Sequence, residues 1–157
     1  MRAFLRKREM FRLKYYLTGL FFSMLLQDIE TGEVTMTPEK MRQYKRYFTR
    51  RYGYGNKRGI LQIELDRNFD NILTSLKTEF PYFDKRQIQI FSYAAADIPD
   101  SLAALMTGSA DGKAVWTIKN KMIEAISIKD VPRRDEYLLM MSTTSNDQPA
   151  DNQPHIC

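Results

Sequence analysis

Three short stretches of helical periodicity follow one another between Phe80 and Ile126, and this spacing constrains the fold more than any other feature of the chain. The first runs from about Lys85 to Ala96, with apolar side chains three or four residues apart. Asp97 and Pro99 then interrupt the pattern, because proline cannot continue a helix and favours a first turn. Short helices in close succession predict an all-α fold.

The second and third stretches complete a recognisable pattern. A short helix begins at Pro99 or Asp100 and ends at Gly108, since glycine favours the left-handed backbone found at helix ends. A third helix, from about Gly112 to Ile126, has one apolar face and a polar face opposite. The apolar face consists of Val115, Ile118, Met122 and Ile126. Three such helices with a brief connection before the last are typical of a helix-turn-helix.

Further residues carry a resemblance to a known family. Phe80 and Pro81 precede the unit, after a leading segment from Asp66 to Ile72. The core pattern is Ile88, Phe91, Leu102, Leu105 and Met106, and the third-helix frame is Val115, Trp116, Lys119, Lys121, Met122 and Ile126. From Leu65 to Ile126 the chain thus resembles bacterial transcriptional regulators with a LuxR-type or sigma-factor-type C-terminal helix-turn-helix after a long helical segment.

The resemblance implies DNA binding without a cofactor, with the third helix in the major groove and the second helix bracing it. The residues it assigns to double-stranded DNA are Lys113, Trp116, Thr117, Asn120 and Lys121. Lys113 and Lys121 would meet phosphates or a guanine edge. Asn120 would pair with adenine, whereas Thr117 suits either kind of contact. Trp116 has a second interpretation, packing against the first helix, because a lone tryptophan is most often a packing residue.

The charge of this unit is balanced, which leaves an alternative open. From Tyr82 to Asp130 six lysines and arginines accompany six acidic residues. A neutral unit would bind DNA weakly unless its cations share one side, and Asp111 near the start of the third helix would repel phosphate. A non-catalytic protein-interaction module with a degenerate helix-turn-helix is therefore a competing interpretation.

Positive charge is concentrated before this unit. Residues Met1 to Arg58 contain fourteen lysines and arginines against five acids, a net charge of +9, and the remainder carries −4, for a total of +5. This asymmetry indicates either a polyanionic partner or a solvated helix face. A helix from Thr37 to Arg51 would have Thr37 as its cap and Pro38 in its first turn. Its expected phosphate-backbone contacts are Arg42, Lys45, Arg46, Arg50 and Arg51.

The stretch from Phe4 to Gln27 is predicted to be a helix with more apolar surface than one face requires. Part of that surface is a seam at coiled-coil spacing, formed by Met10, Leu13, Leu17, Leu20 and Met24. The excess predicts either burial between two other helices or self-association. We expect a homodimer, which would place two recognition helices about one DNA turn apart.

A membrane role is a weaker alternative for the same stretch. The apolar run from Tyr15 to Leu26 is about twelve residues, fewer than the roughly twenty of a spanning helix, and no small-residue cleavage site follows. A peripheral membrane protein that uses the basic N-terminal helix is the corresponding interpretation. The single cysteine, Cys157, allows no internal disulfide, which is consistent with the cytoplasm.

The chain is poorly equipped for catalysis. Its sole histidine, His155, and its sole cysteine both lie in the polar C-terminal segment, so Ser-His, Cys-His and most zinc chemistries are excluded. Asp66 and Asp70 share a helix face, but beside Arg67 they are more consistent with solvated or capping charges. We therefore expect no enzymatic activity, no metal, no cofactor and no small-molecule substrate.

The domain organisation follows from these patterns. We expect a basic, aromatic helical region at 1–59, a long connecting helix at 60–81, a helix-turn-helix domain at 82–141 and a disordered tail at 142–157. The connecting helix is predicted because apolar residues recur at helical spacing until Pro81 stops it. The segments Glu33–Met36 and Glu136–Met141 are locally extended in pattern, although the second suits a last helix equally well.

Overall fold

The computed structural model describes residues 1–33, 35, 37–53 and 58–142, and over these residues the protein is all-helical. The predicted all-α fold is thereby confirmed. The described helices are α1 (Arg2–Glu30), α2 (Pro38–Tyr52), α3 (Ile60–Asn68), α4 (Ile72–Glu79), α5 (Lys85–Ala95), α6 (Asp100–Thr107), α7 (Gly112–Ile128) and α8 (Arg134–Met141). Residues 34 and 36 of the predicted extended segment, residues 54–57, and residues 143–157 of the predicted tail lie outside the described part.

Local capping signals set several helix starts where the sequence predicts them. The Thr37 hydroxyl accepts a hydrogen bond from the Lys40 backbone N–H (3.2 Å), and Pro38 occupies the first turn of α2. At α5 the Asp84 carboxylate accepts from the Gln87 N–H (2.8 Å), and the Gln87 side chain accepts from the Asp84 N–H (2.7 Å). Each cap satisfies backbone donors that have no partner inside the helix.

The single helix predicted from Ile60 to Phe80 is wrong, because the chain turns between α3 and α4. Asp70 and Asn71 both have positive φ, 53° and 55°, a conformation that Asp and Asn adopt more readily than most residues. The buried Asp66 carboxylate accepts a hydrogen bond from the Leu73 N–H (2.7 Å), so it satisfies a donor that the break leaves free. Asp66 is thus a capping charge.

The turn does not disturb the predicted core pattern. One hydrophobic core extends from Phe11 and Tyr15 of α1 to Met140 and Met141 of α8. The apolar residues on either side of the turn all remain buried: Leu65, Phe69, Ile72, Leu73, Leu76 and Phe80. The C-terminal segment that suits either a strand or a helix is helical and contributes the buried Tyr137.

Two sets of predicted apolar contacts face solvent instead. Leu105 shares the solvent side of α6 with Ser101, four residues earlier, whereas Leu102 and Met106 share its buried side. On α1 the seam residues Met10, Leu13, Leu20 and Met24 are exposed, so burial between two other helices is wrong for these four within the described ranges. The side chain of Leu17 lies outside the described part. No helix in the described ranges combines the length and apolar content needed to cross a membrane.

Candidate nucleic-acid interface

The three predicted helices at Lys85–Ile126 are present as α5, α6 and α7, and each packs against the other two. α5 is buried along most of its length and forms the base of the group through Ile88 and Phe91. α6 adds Leu102 and Met106 to the same core. Both α6 and α7 therefore pack on α5.

The turn between α6 and α7 is built from two short-range features. Gly108 has φ 72° and ends α6, and the Ser109 N–H donates to the Ala104 carbonyl (2.9 Å). The Asp111 carboxylate accepts a hydrogen bond from the Ala114 N–H (2.9 Å) and so caps α7. The acid expected to repel phosphate therefore also stabilises the start of the helix.

α7 has one buried face and one exposed face. Val115, Met122 and Ile126 are buried, and Ile118 packs against the core from the same side. The candidate DNA contacts on the opposite side are exposed: Lys113, Thr117, Asn120 and Lys121. Because these positions recur at intervals of three and four residues, they form one continuous polar face.

Two of these side chains bond to their own helix. The Thr117 hydroxyl donates to the Lys113 carbonyl (3.0 Å), and the Asn120 amide donates to the Trp116 carbonyl (3.1 Å). Each bond lies on the solvent side and uses one donor. Asn120 thus retains its amide oxygen and a second N–H for a partner. Within the described residues Lys113 and Lys121 form no ion pair.

Trp116 and Lys119 lie at the edges of this face. Trp116 is half-buried and is not part of the central core, so its position suits neither full packing nor full exposure. The Lys119 ammonium contacts the Asp100 carboxylate at 3.0 Å, with both side chains mostly covered. This pair links the start of α6 to α7 and neutralises one cation of the unit.

The basic face of α2 is a second cationic surface. Phe48 and Tyr52 are buried, and the Gln62 amide donates to the Tyr52 carbonyl (2.7 Å), which attaches α2 to the start of α3. Away from that attachment, Arg42, Arg46 and Arg50 are exposed at intervals of four. The side chain of Lys45 lies outside the described part of the chain.

Arg51 differs from the other arginines of α2. It is half-buried, and its guanidinium lies 5.0 Å from the centre of the Tyr15 ring, as in a cation–π contact. A guanidinium held in this way attaches α2 to α1. It is therefore less accessible to phosphate than Arg42, Arg46 or Arg50.

Two arginines of α1 have a role that the sequence did not indicate. Arg12 is buried, and its guanidinium donates to the carbonyls of Ala95 (3.1 Å), Met140 (3.2 Å) and Ser142 (2.7 Å) at the ends of α5 and α8. Arg8 donates to the Leu139 carbonyl (2.6 Å). Carbonyls at helix ends lack intrahelical partners and carry partial negative charge, so cations suit them. These two charges belong to the fold rather than to a polyanion surface.

α1 is also joined to α3 by a polar group around Glu64. The Lys14 ammonium contacts the Glu64 carboxylate at 2.5 Å, and the Tyr15 hydroxyl donates to the same carboxylate. Burial raises the pKa of the Glu64 carboxyl, but the hydrogen bonds from Lys14 and Tyr15, together with the charges of Lys14 and Arg51, outweigh burial and hold that pKa below its ordinary value. Burial and the Glu64 charge raise the pKa of the Tyr15 phenol.

The described ranges contain no cluster of three or more His, Cys, Asp or Glu side chains placed to hold a metal ion. No protein-family model, curated protein or solved structure matches the chain. What supports a function is therefore the geometry of the residues themselves.

Proposed function

We propose that the protein is a transcriptional regulator that binds double-stranded DNA through a helix-turn-helix formed by α6 and α7, as the resemblance to LuxR-type regulators implies. The observation that carries this proposal is the division of α7 into a face held in the core and a polar face open to solvent. A helix supported along one side can present the other side to the major groove. A regulator of this kind would need no cofactor and would act in the cytoplasm.

The polar face of α7 contains suitable chemistry for reading bases. An asparagine amide can donate to N7 of adenine and accept from its N6 amino group, and the amide oxygen and second N–H that Asn120 retains would supply this pair. The Thr117 hydroxyl can either donate or accept a hydrogen bond. Lys113 and Lys121 flank these two residues and would contact phosphates or guanine.

The exposed arginines of α2 would supply backbone contacts that the neutral unit lacks. Phosphate neutralisation provides much of the affinity of DNA-binding proteins. Around α7 the charges of Lys113 and Lys121 are offset by Asp111 and Glu124. Glu39, the only acid of α2, lies one turn before Arg42 on the same face, so Arg46 and Arg50 are the two exposed arginines farther from it along the helix. We therefore assign base reading to α7 and general attraction to α2.

Fluorescence anisotropy with random-sequence duplex DNA tests this proposal on the whole chain. Affinity should fall steeply as salt is raised. On a sequence selected from this random DNA for tight binding, Lys121→Ala and Asn120→Ala should each weaken binding by about 1 to 3 kcal/mol. Lys77→Ala, which removes an exposed cation from α4, is the matched control and should leave affinity nearly unchanged.

A protein-interaction module is the second candidate function. The ion pair between Lys119 and Asp100 and the overall charge balance of α5–α7 favour it. This reading predicts no measurable affinity for duplex DNA at low salt. If the native chain and the variants Lys121→Ala and Asn120→Ala bind DNA equally well, the contact is made by α2 alone. That result would also contradict base reading by α7.

A further inference from the structure

A strip of apolar side chains lies on the outside of α1. Its exposed members are Met10 (67 % exposed), Leu13 (68 %), Leu20 (43 %) and Met24 (56 %). The other side of the helix is held to the body by Phe11 and by the arginines that bond α5 and α8. Large apolar side chains grouped on one exposed face usually mark an interaction site.

The spacing of these apolar residues indicates which kind of partner would cover them. Positions 10, 13, 17, 20 and 24 alternate by three and four residues, as do the a and d positions of a heptad repeat. α1 is a continuous helix over Arg2–Glu30, so it holds these positions in line for about 21 Å. A straight seam with a 3.5-residue period is covered best by a second helix with the same period.

We propose that α1 pairs in parallel with α1 of a second copy of this chain. Charge at the sides of the seam supports this partner and direction. Glu9 occupies a g position and Lys14 the following e position. In a parallel coiled coil a g residue meets the e residue five positions later on the partner. Glu9 of each copy therefore faces Lys14 of the other copy, which forms two attractive pairs.

Both charged side chains are accessible for these pairs. The side chain of Glu9 is 50 % exposed and that of Lys14 is 51 % exposed. Within the chain Glu9 contacts Arg8 and Lys14 contacts Glu64, each at 2.5 Å. A carboxylate accepts through two oxygens and an ammonium has three donors, so each group retains capacity for a second partner. Pairing through this face leaves the contacts of α1 with the core intact.

Dimerisation would assist DNA binding, and this consequence alone rests on the proposed function. Two α7 helices related by a two-fold axis along α1 would engage two half-sites together. A linked second site raises the overall affinity of a weak single site. The dimer itself is independent of DNA and is measured without it.

Sedimentation velocity of the whole chain, from about 5 to 200 µM, tests the pairing. We expect a dimer for the native chain and a dissociation constant at least about tenfold higher for Leu13→Glu and Leu20→Glu. Ile128→Glu places the same charge on an 82 % exposed apolar residue of α7 and should dimerise normally. A native chain that stays monomeric, or seam variants that dimerise like it, would overturn the proposal.

A charge-exchange experiment tests the direction. Glu9→Lys alone and Lys14→Glu alone each place like charges opposite one another in a parallel homodimer. An equimolar mixture of the two variants restores both attractive pairs across the interface, although the internal Lys14–Glu64 pair stays broken in one chain. We expect mixed dimers to exceed the statistical half, and a statistical mixture would exclude the parallel register. Opposite charges would also favour mixing in an antiparallel dimer, so the direction is read from the chain with both exchanges, Glu9→Lys and Lys14→Glu. In a parallel dimer this chain prefers its own copies to the native chain, whereas in an antiparallel dimer it would prefer the native chain.

Two further measurements separate the possible outcomes. Flotation with phosphatidylserine-containing vesicles identifies lipid as the occupant if a monomeric native chain binds them and Leu13→Glu does not, a result that overturns the dimer. Lys121→Ala should weaken DNA binding without altering sedimentation. A native chain that dimerises but has no affinity for duplex DNA would contradict the proposed function and leave the pairing of α1 supported.

Discussion

Asp111 has two opposing effects at the start of α7. Its carboxylate accepts a hydrogen bond from the Ala114 N–H at 2.9 Å and stabilises the first turn of the helix. Its negative charge lies beside the face proposed to approach phosphates. Serine caps helices as well as aspartate does but carries no charge, so substitution can separate the two effects.

We predict that Asp111→Ser tightens DNA binding by about threefold at low salt and changes the free energy of unfolding by less than about 0.5 kcal/mol. Asp111→Ala should tighten binding similarly but lose about 1 kcal/mol, because the cap is removed. Anisotropy and urea unfolding measure the two quantities. Unchanged affinity in both variants would indicate that the start of α7 does not approach DNA.

Arg12 is the residue whose loss should most weaken the attachment of α1. Removing its guanidinium leaves carbonyls of α5 and α8 without their donors. We predict that Arg12→Met lowers the free energy of unfolding by about 3 kcal/mol and that Arg12→Lys lowers it by roughly half as much. Urea denaturation measures both. Arg2→Met, at an exposed position, should remain within about 0.5 kcal/mol of the native chain.

At the scale of elements, the joint between α1 and α3 should make stability depend on pH. The pKa of Glu64 is lower in the folded protein than its ordinary value of 4.5. A carboxyl of this kind stabilises the fold fully above its unfolded pKa, and the contribution is lost as the pH falls through the folded pKa. The joint is thus expected to weaken in acid.

We predict that Glu64→Gln destabilises the protein at neutral pH and that its difference from the native chain shrinks as the pH is lowered from about 6 to 3. Tyr15→Phe removes one donor to the carboxylate and keeps the ring, so it should reduce the pH-dependent part without removing it. Urea unfolding at a series of pH values measures both. A difference that is constant with pH would contradict the assigned role.

Helix boundaries were predictable wherever a signal acts within one turn. Thr37 with Pro38, Asp84 with Gln87, and Gly108 set the ends of helices through bonds to backbone groups at most four residues away. The turn at Asp70 and Asn71 had no such clear signal, because their apolar neighbours keep helical spacing across it. The exposed face of α7 was predictable for the same local reason, its period.

At the scale of the whole molecule, the asymmetry of charge should govern the response to salt. Among the cations of the first 58 residues, Arg8 and Arg12 are used inside the fold, and Lys14, Arg51 and Arg58 contact groups of the chain itself, so a polyanion would meet others first. Arg46 and Arg50 lie on the open side of α2. Each phosphate contact adds about one unit to the slope of log affinity against log salt.

We predict that Arg46→Ala together with Arg50→Ala lowers that salt slope by about two and weakens binding equally on all DNA sequences. Arg67→Ala together with Lys77→Ala removes the same charge from exposed positions on α3 and α4. This control pair should change the slope little. Equal effects of the two pairs would show that net charge alone, and not the face of α2, attracts DNA.

The sequence by itself determined the all-helical fold, most helix limits and the polar face of α7, because caps, glycine, proline and periodicity act over a few neighbouring residues. Only the tertiary structure decided which groups Arg12 and Asp66 contact. Arg12 bonds carbonyls more than eighty residues away, and Asp66 caps a helix across a turn. Which charges stay exposed depends on such distant contacts, and local pattern does not contain them.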